Sequence, residues 1–336
     1  MKRWQFWLGM AISAIFLWLA LRGLKLTEVW QDIRSANYLW LIPSVAVYFV
    51  AVWARTWRWD YMLRPLKHVP LRRLFPVVVI GYMGNNVYPF RAGELLRSYV
   101  LRRRENVSIS ASLATVIVER VFDGLVMLVF VFAALPFAPI PGDNAHIRAI
   151  VIFASIAFFA AMVIFFALAA MPERFYHFAQ WISDRLLPAK IGVPLLDFLQ
   201  RFLEGLASLR HFRNVLMIFL TSVVIWLLET VKYWFVMHAF DFQVSFFALM
   251  LMNGVVNLAT TLPSAPGYVG TFDEPGIEVL KLYGVGETTA AAYTLVLHAA
   301  LWLPITLLGA FYMVREGMGW SDFSKAVRVA EGEAKA

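Results

Sequence analysis

Residues 108–135 read SISASLATVIVERVFDGLVMLVFVFAAL, and this stretch decides the fold. It is longer than the roughly 20 apolar residues that a helix needs to cross a bilayer. Three charged residues, Glu119, Arg120 and Asp123, nevertheless lie in its middle. A charge at the bilayer centre costs on the order of 3 kcal/mol or more, so each needs a partner or a wet cavity. The stretch therefore predicts a membrane protein with charged groups in its interior.

The rest of the chain is equally apolar. Of its 336 residues, 61% are hydrophobic and 15% are charged, whereas a soluble domain carries about 25% charged residues. The 28 Phe and 13 Trp fit helices that contact lipid. We predict an all-α, polytopic membrane protein with about six spanning helices. Besides 108–135, the predicted spans are roughly 4–21, 38–54, 148–170, 214–238 and 288–313.

Two shorter apolar segments, roughly 74–90 and 246–263, are interrupted by Gly, Asn and Pro. Interruptions of this kind are typical of re-entrant or discontinuous helices, whose free backbone groups must line a cavity. Each segment is followed by an E-[LV]-L-[RK]-x-Y piece, at Glu94–Tyr99 and at Glu278–Tyr283. The similarity predicts an inverted repeat, although chance resemblance between two broken apolar segments is the alternative.

The positions of Lys and Arg predict the orientation of the chain. The net charge is +8, and the basic residues are concentrated between apolar segments, notably in 55–73, 91–104 and 174–213. Basic segments between spans usually lie on the cytoplasmic side. All three lie there if the N-terminus is cytoplasmic, so we expect both termini in the cytoplasm and the protein in the cytoplasmic (inner) membrane. This placement favours contact with anionic lipid and argues against a nucleic-acid partner.

The chain is predicted to form one transmembrane domain, 1–316, followed by a polar cytoplasmic tail, 317–336. Its halves, about 1–135 and 148–316, would be joined by a cytoplasmic amphipathic segment at 173–212. Apolar residues repeat there at helical spacing from Leu195 to Leu209, which indicates a helix on the inner surface. The N-terminal apolar stretch is interpreted as an uncleaved first helix rather than a signal peptide.

The buried charges need partners. Glu119 and Asp123 are four residues apart, so they share a helix face and repel each other. Arg120 offsets only one of them, and the further candidate cations are Arg55, Arg58, Arg91 and Arg97. The alternative to a functional site is a charge network that only fixes helix packing. For the pair Glu229 and Lys232, mutual neutralisation is the favoured interpretation, and a packing role is favoured for His298 over a proton-carrying one.

A phosphate site is predicted where the first broken segment ends. Arg91 and Arg97 flank Gly93 and Glu94, just after the break at Pro89. An arginine fork beside free backbone N–H groups suits a phosphate. In the second broken segment, Pro266, Gly267 and Gly270 permit close backbone approach, and Asp273 and Glu274 follow directly.

Over roughly 5–315 the sequence resembles the flippase-like membrane region of the lysylphosphatidylglycerol synthases, which is also found as stand-alone proteins. The resemblance rests on four motifs in order. They are R-x-x-R-W (Arg55 to Trp59), N-N-x-x-P-x-R-x-G-E-x-x-R (Asn85 to Arg97), E-R-x-x-D (Glu119 to Asp123) and P-x-x-P-G-x-x-G (Pro263 to Gly270). Tyr268 stands where the family often has a second Gly. The resemblance implies a helical fold with two re-entrant elements that moves lipids or lipid-linked head groups between leaflets.

The leading hypothesis is a flippase for a phosphate-bearing lipid, such as an anionic phospholipid, an aminoacylated lipid or a polyprenyl phosphate. We expect no enzymatic activity, no metal and no cofactor, since no catalytic motif is recognisable, the chain has no Cys and little sequence remains after the last span for a soluble synthase domain. The alternatives are a membrane transferase acting on polyprenyl-phosphate-linked sugars and a scaffold for a lipid-modifying enzyme. The candidate substrate-binding residues are Arg55, Arg58, Asn85, Asn86, Arg91, Glu94, Arg97, Glu119, Arg120, Asp123, Pro266, Gly267, Gly270 and Glu274.

Overall fold

A computed structural model describes residues 3–88, 91–134, 171–186, 212–262 and 264–319, with a few isolated residues between 137 and 203. The described residues are helical with connecting turns, which confirms the predicted class. The helices are α1 (Arg3–Leu21), α2 (Leu26–Ser35), α3 (Leu41–Leu63), α4 (Leu71–Val87), α5 (Ala92–Glu105), α6 (Ile109–Ala134), α7 (Pro172–Leu186), α8 (Phe212–Met237), α9 (Phe246–Ala259), α10 (Asp273–Leu282) and α11 (Glu287–Arg315).

Three helical stretches in the described part are long and apolar enough to cross a membrane: Tyr38–Leu63, Phe212–Met237 and Glu287–Arg315. Helix α6 is as long, with 26 residues, but carries the three charges of E-R-x-x-D. A helix of this length measures about 39 Å, enough for a bilayer core of about 30 Å. The polytopic helical architecture therefore follows from length, apolarity and an interior that satisfies the charges.

Helices α4 and α5 form a tightly packed hairpin, the first hairpin. They meet at three glycines, Gly81, Gly84 and Gly93. A Cβ atom on Gly93 would lie 1.9 Å from the Gly81 carbonyl oxygen, so no larger residue fits there. The two ends of the hairpin lie together, because Lys67, just before α4, donates to the carbonyl of Glu105 at 2.7 Å. The chain therefore enters and leaves this hairpin at the same end of the bundle.

Helices α9 and α10 form the second hairpin, whose tip contains a 3-10 turn, Pro266–Tyr268. Helix α1 packs against this tip, where a Cβ on Gly270 would lie 2.6 Å from the Ser13 carbonyl oxygen. Both ends of the hairpin lie near the chain that follows α6. Phe137 stacks on Phe247 with ring centroids 4.6 Å apart, and the Tyr283 hydroxyl donates to the Ala138 carbonyl at 2.8 Å.

The helix contacts repeat between the two halves of the chain. Helix α3 packs along α8, α4 packs on α11, and α9 packs on α6. Each hairpin therefore contacts the last long helix of the other half. Since α6 runs from the base of the first hairpin to the base of the second, the two hairpins enter the bundle from opposite ends.

The predicted boundaries agree with the structure to within a few residues, with two differences. The second span was expected to end near residue 54, whereas α3 continues to Leu63. It continues because Arg55 and Arg58 have carboxylate partners inside the bundle and do not need solvent. Helix α2 was not predicted, and it packs on α11 through its one buried residue, Val29.

Several predicted features lie wholly or largely outside the described residues. These are the span 148–170, the surface helix around 195–209, the prolines at 89 and 263, and most of the tail 317–336.

Candidate functional site

A cavity with about 840 Å³ of empty space, its open mouth included, lies between the two halves where the hairpin tips meet. Both hairpins and the helices α3, α6, α8 and α11 contribute to its wall. The lining residues are Tyr48, Arg55, Tyr82, Asn85, Asn86, Arg91, Arg120, Asp123, Trp226, Glu229, Lys232, Asn257, Thr260, Gly267, Tyr268, Phe272, His298, Leu301 and Trp302. Seven of the fourteen residues predicted from the sequence are among them.

Beneath the cavity lies a buried charge cluster, which we define as Arg58, Arg97, Glu119 and Asp123; of these, Asp123 also reaches the cavity wall. The Arg58 guanidinium is fully buried and donates to Asp123 Oδ1 at 2.5 Å and to Glu119 Oε1 at 3.1 Å. Arg97 donates to the other oxygen of Glu119, and its guanidinium lies 4.4 Å from the centre of the Trp59 ring. Each carboxylate therefore has an arginine, as the spacing of E-R-x-x-D required.

A second group of ion pairs connects α3 and α8. Arg55 donates to Glu229 Oε1 at 2.6 Å, and Lys232 donates to Glu229 Oε2. The expected pairing of Glu229 with Lys232 is confirmed, with Arg55 as an additional partner. These three side chains are nearly buried and form one side of the cavity.

Two arginines in the cavity wall are paired less completely. Arg120 lies 3.5 Å from Glu94 Oε1 and 3.7 Å from Asp123 Oδ2, and Arg91 lies 3.7 Å from the same oxygen of Glu94. None of these three contacts is a hydrogen bond: Glu94 Oε1 and Arg120 Nε are buried without a hydrogen-bond partner. Arg91 donates to the Thr260 carbonyl of the second hairpin at 3.0 Å.

The ion pairs around the cavity form two networks, and among the described residues each network has one more cation than carboxylates. In the described part of the chain, six cations face four carboxylates. The cations are Arg55, Arg58, Arg91, Arg97, Arg120 and Lys232, and the carboxylates are Glu94, Glu119, Asp123 and Glu229. A surplus of positive charge in a site of low dielectric favours an anionic ligand.

The candidate residues fall into three groups by position. Those in the cavity wall are Arg55, Asn85, Asn86, Arg91, Arg120, Asp123 and Gly267. Those beneath or beside it are Arg58, Glu94, Arg97 and Glu119; Pro266 and Gly270 lie in the second tip outside the cavity wall, and Glu274 lies in the first turn of α10. A direct phosphate contact by Arg97 stays a prediction, since its guanidinium is paired with Glu119 below the wall.

The aromatic part of the wall was not predicted from the sequence. Four aromatic side chains line the cavity together with its arginines: Tyr82, Trp226, Tyr268 and Trp302. Tyr268 has φ +62°, a left-handed conformation that favours glycine, and its ring lies 5.5 Å from the Arg91 guanidinium. Aromatic residues in apolar segments resemble lipid-facing ones in sequence, so no sequence signal separated Tyr82, Trp226 and Trp302, and Tyr268 was noted only as a departure from the family pattern.

The second hairpin tip is held by polar contacts to α1 and α11. The Gly270 amide donates to Asp273 Oδ2 at 2.8 Å, and the Ala265 amide donates to the Ser13 hydroxyl at 2.7 Å. His298 of α11 contacts both Asp273 and the Gly267 carbonyl. Within the described residues, no group of three or more His, Cys, Asp or Glu could hold a metal ion.

Comparison with known proteins places these features in a family. The sequence pattern of the lysylphosphatidylglycerol synthase TM region matches residues 6–309. A UPF0104 membrane protein of Methanothermobacter thermautotrophicus is 22% identical over 93% of both chains. Another, of Methanocaldococcus jannaschii, is 22% identical over 90% of this chain and 92% of its own length.

One relative carries a functional name. Glycosyltransferase AglD of Haloferax volcanii is 27% identical over 90% of this chain, which corresponds to 52% of that protein. No solved structure matches the chain. The family match spans both hairpins, the charge cluster and the cavity wall, and the chain therefore belongs to the family of the lysylphosphatidylglycerol synthase transmembrane region.

Proposed function

We propose that this membrane protein transports a phosphate-bearing lipid between leaflets, and that the phosphate binds in the cavity between Arg91 and Arg120. The observation that carries the proposal is their incomplete pairing: both approach one oxygen of Glu94 without a hydrogen bond. An arginine donates readily to phosphate oxygens, often two at a time. A lipid phosphate between the two guanidinium groups would supply the missing acceptors.

The arrangement of the hairpins supports transport through this cavity. Helices α4 and α5 are about 26 and 21 Å long, too short to span a core of about 30 Å alone. They form a re-entrant element in this proposal, and α9 with α10 forms the inverted counterpart from the other leaflet. The tips meet where Arg91 contacts Thr260 and Tyr268. Separation of these contacts on either side would give alternating access.

The charges at one end of the bundle support a cytoplasmic position for both termini in the inner membrane. Glu105 at the end of α5 pairs with Lys67 at 3.1 Å and with Arg73 at 3.6 Å, and Arg104 pairs with Glu316 after α11 at 3.2 Å. The ends of α3, α5 and α11 and the start of α4 therefore share one basic surface. Basic surfaces of this kind face the cytoplasm.

Leaflet exchange of lipids in liposomes that contain the purified protein tests the proposal. The panel comprises an anionic phospholipid, an aminoacylated phospholipid and a polyprenyl phosphate, each with a quenchable label. We expect exchange above the protein-free rate for at least one of them, and loss of that exchange in Arg120→Gln. The control is Arg103→Gln, which removes an exposed arginine of α5. Exchange at the protein-free rate for every lipid would reject transport.

A transferase that uses a polyprenyl-phosphate-linked sugar is the second candidate, favoured by the glycosyltransferase name of the Haloferax volcanii relative. The same cavity would then hold the lipid phosphate during reaction. The test is transfer of a radiolabelled sugar from a polyprenyl-phosphate donor to a membrane acceptor by the purified protein. Transfer that requires Arg120, without leaflet exchange, would favour this candidate over transport.

A further inference from the structure

The imidazole of His298 lies between two oxygen atoms in the cavity wall. Its Nδ1 is 2.7 Å from Asp273 Oδ1, and its Nε2 is 2.7 Å from the Gly267 carbonyl oxygen. The second carboxylate oxygen of Asp273 accepts the Gly270 amide at 2.8 Å. His298 thereby connects α11 to the tip of the second hairpin and to the start of α10.

Both contacts of His298 are hydrogen bonds only when the pair holds an additional proton. The Gly267 carbonyl can only accept, so Nε2 must carry a hydrogen. The contact between Nδ1 and Asp273 then requires a second proton, on the imidazole or on the carboxyl group, because two lone pairs at this distance repel. A neutral imidazole beside an ionised Asp273 has one proton fewer and loses one of the two contacts.

We propose that His298 and Asp273 form a proton-binding site that controls the position of the second hairpin tip, residues 264–272. The inference rests on the proposed transport, which it extends by naming a proton as the coupled ion. With the proton bound, the tip is held against α11. Without it, one contact is lost, the tip moves away from α11, and the cavity opens on that side.

The tip has a backbone that can respond to the loss of one contact. Gly267, Tyr268 and Gly270 have φ values of 72°, 62° and 82°, and the left-handed conformation is strained for a tyrosine. Tyr268 covers the Arg91 guanidinium from this tip. Movement of the tip would therefore uncover one of the two proposed phosphate ligands, which links proton release to access of the lipid head group.

The surroundings of His298 identify Asp273 as its proton partner. Helix α1 brings the uncharged Ser13 and Leu17 to the tip. On α2, which packs on α11, Asp32 accepts from Thr289 in the first turn of α11, more than two helical turns before His298. The remaining ionisable groups share the cavity without a described hydrogen bond to His298; they are Tyr48 and Arg55 of α3, Tyr82 of α4, Arg91 of the first tip, Arg120 and Asp123 of α6, Glu229 and Lys232 of α8, and Tyr268.

The buried charge cluster is a poorer proton site. Glu119 and Asp123 each accept from Arg58 or Arg97, and an arginine keeps its charge throughout the physiological pH range. Protonation of either carboxylate would leave a buried arginine without its counter-ion. His298 faces a carboxylate and a carbonyl oxygen rather than an arginine, so proton binding there leaves no buried cation without its counter-ion.

A cysteine reporter tests the movement independently of transport, because the chain has no native Cys. Val269→Cys places a thiol at the tip, and Leu262→Cys places a matched one outside it; the native side chains are 39% and 46% exposed. The rate of maleimide labelling at position 269, divided by that at 262, is measured from about pH 5 to pH 8, where histidine titrates. We expect the ratio to rise with pH, by at most about tenfold per unit for one proton.

Two substitutions hold the tip in opposite states. In Asp273→Asn the amide donates to Nδ1 and its oxygen accepts from Gly270, so both contacts persist without a titrating proton. This variant should label slowly at every pH. In His298→Phe the ring volume remains but both contacts are lost, and labelling should be fast at every pH. A ratio that does not change with pH in the unsubstituted background, or that changes equally in Asp273→Asn, would overturn the proposal.

Leaflet exchange on the same preparations separates this inference from the proposed function. Coupling predicts that exchange depends on pH in the wild-type protein and falls toward the protein-free rate in Asp273→Asn, since transport needs both positions of the tip. Exchange that proceeds at one rate at every pH, with unchanged labelling, would reject the proton site and retain transport. A pH-dependent tip without exchange of any lipid would retain the proton site and reject transport.

Discussion

Two groups of charges inside the bundle differ in how completely they are paired. In the buried cluster, Arg58 and Arg97 form hydrogen bonds to Glu119, and no side chain of these three is more than 6% exposed. In the cavity wall, Arg91 and Arg120 share one oxygen of Glu94 at 3.5 Å or more, and 37% of the Arg120 side chain is exposed. Charge inside this bundle therefore occurs in two arrangements, one held by hydrogen bonds and one held only by longer contacts. The arginines of the buried cluster are hydrogen-bonded to its carboxylates and hold the helices together, and in our proposal the group with only the longer contacts binds the ligand.

The largest effect is expected from breaking the hydrogen-bonded ion pairs of the buried cluster. Arg58→Met removes the cation that Glu119 and Asp123 share and leaves two carboxylates in the interior. Loss of one partner of a buried ion pair costs about 3–5 kcal/mol. Thermal unfolding in detergent should show a large loss of stability or no folded protein. Arg103→Gln, on an exposed face, should unfold like the wild type, and equal stability of Arg58→Met would contradict a structural role for the cluster.

The glycine contact of the first hairpin sets the positions of both groups, because Arg97 and Arg91 lie on either side of Gly93. Gly93→Ala would place a methyl group 1.9 Å from the Gly81 carbonyl oxygen. Overpacking of this kind costs roughly 1–3 kcal/mol. The matched control is Gly286→Ala, since no atom lies within 4 Å of a Cβ at that position. Similar unfolding temperatures for the two variants would show that α4 and α5 can move apart to accommodate the methyl group without a loss of stability.

The smallest effect concerns the tyrosine that covers Arg91. Tyr268 has φ +62°, a conformation that costs a residue with a Cβ about 1–2 kcal/mol. Tyr268→Gly and Tyr268→Ala both remove the ring, but only glycine relieves the strain. We expect the glycine variant to be the more stable by about 1 kcal/mol, measured by denaturant or thermal unfolding. If the alanine variant proved equally stable, the left-handed conformation would not be that of the folded protein.

Much of the fold could be predicted because length, apolarity and breaks are local properties. The spans that became α1, α6, α8 and α11 agree with the structure to within a few residues, and each interrupted segment became the first helix of a hairpin. The need for cations around Glu119 and Asp123 also followed from their spacing. Which arginines would serve could not be predicted, because Arg58 reaches them only through the extension of α3 beyond the apolar run.

The residues of the cavity wall could be predicted less well from the sequence. Tyr82, Trp226 and Trp302 lie in apolar segments, where the chain gives no sign of which face meets lipid and which meets the other half. His298 and Asp273 are 25 residues apart and on different helices, and their contact depends on the path of the second tip. Such contacts result from packing between the halves, which no local pattern encodes.

The central claim is that Arg91 and Arg120 bind the phosphate of a transported lipid. The most direct test is leaflet exchange by the variant Arg91→Gln/Arg120→Gln, in preparations whose unfolding temperature matches that of the wild type. We predict exchange at the protein-free rate for the lipid that the wild type moves, with Arg103→Gln unaffected. Exchange at the wild-type rate in the double variant would contradict the account, because it would show that the phosphate of the transported lipid does not bind to Arg91 and Arg120.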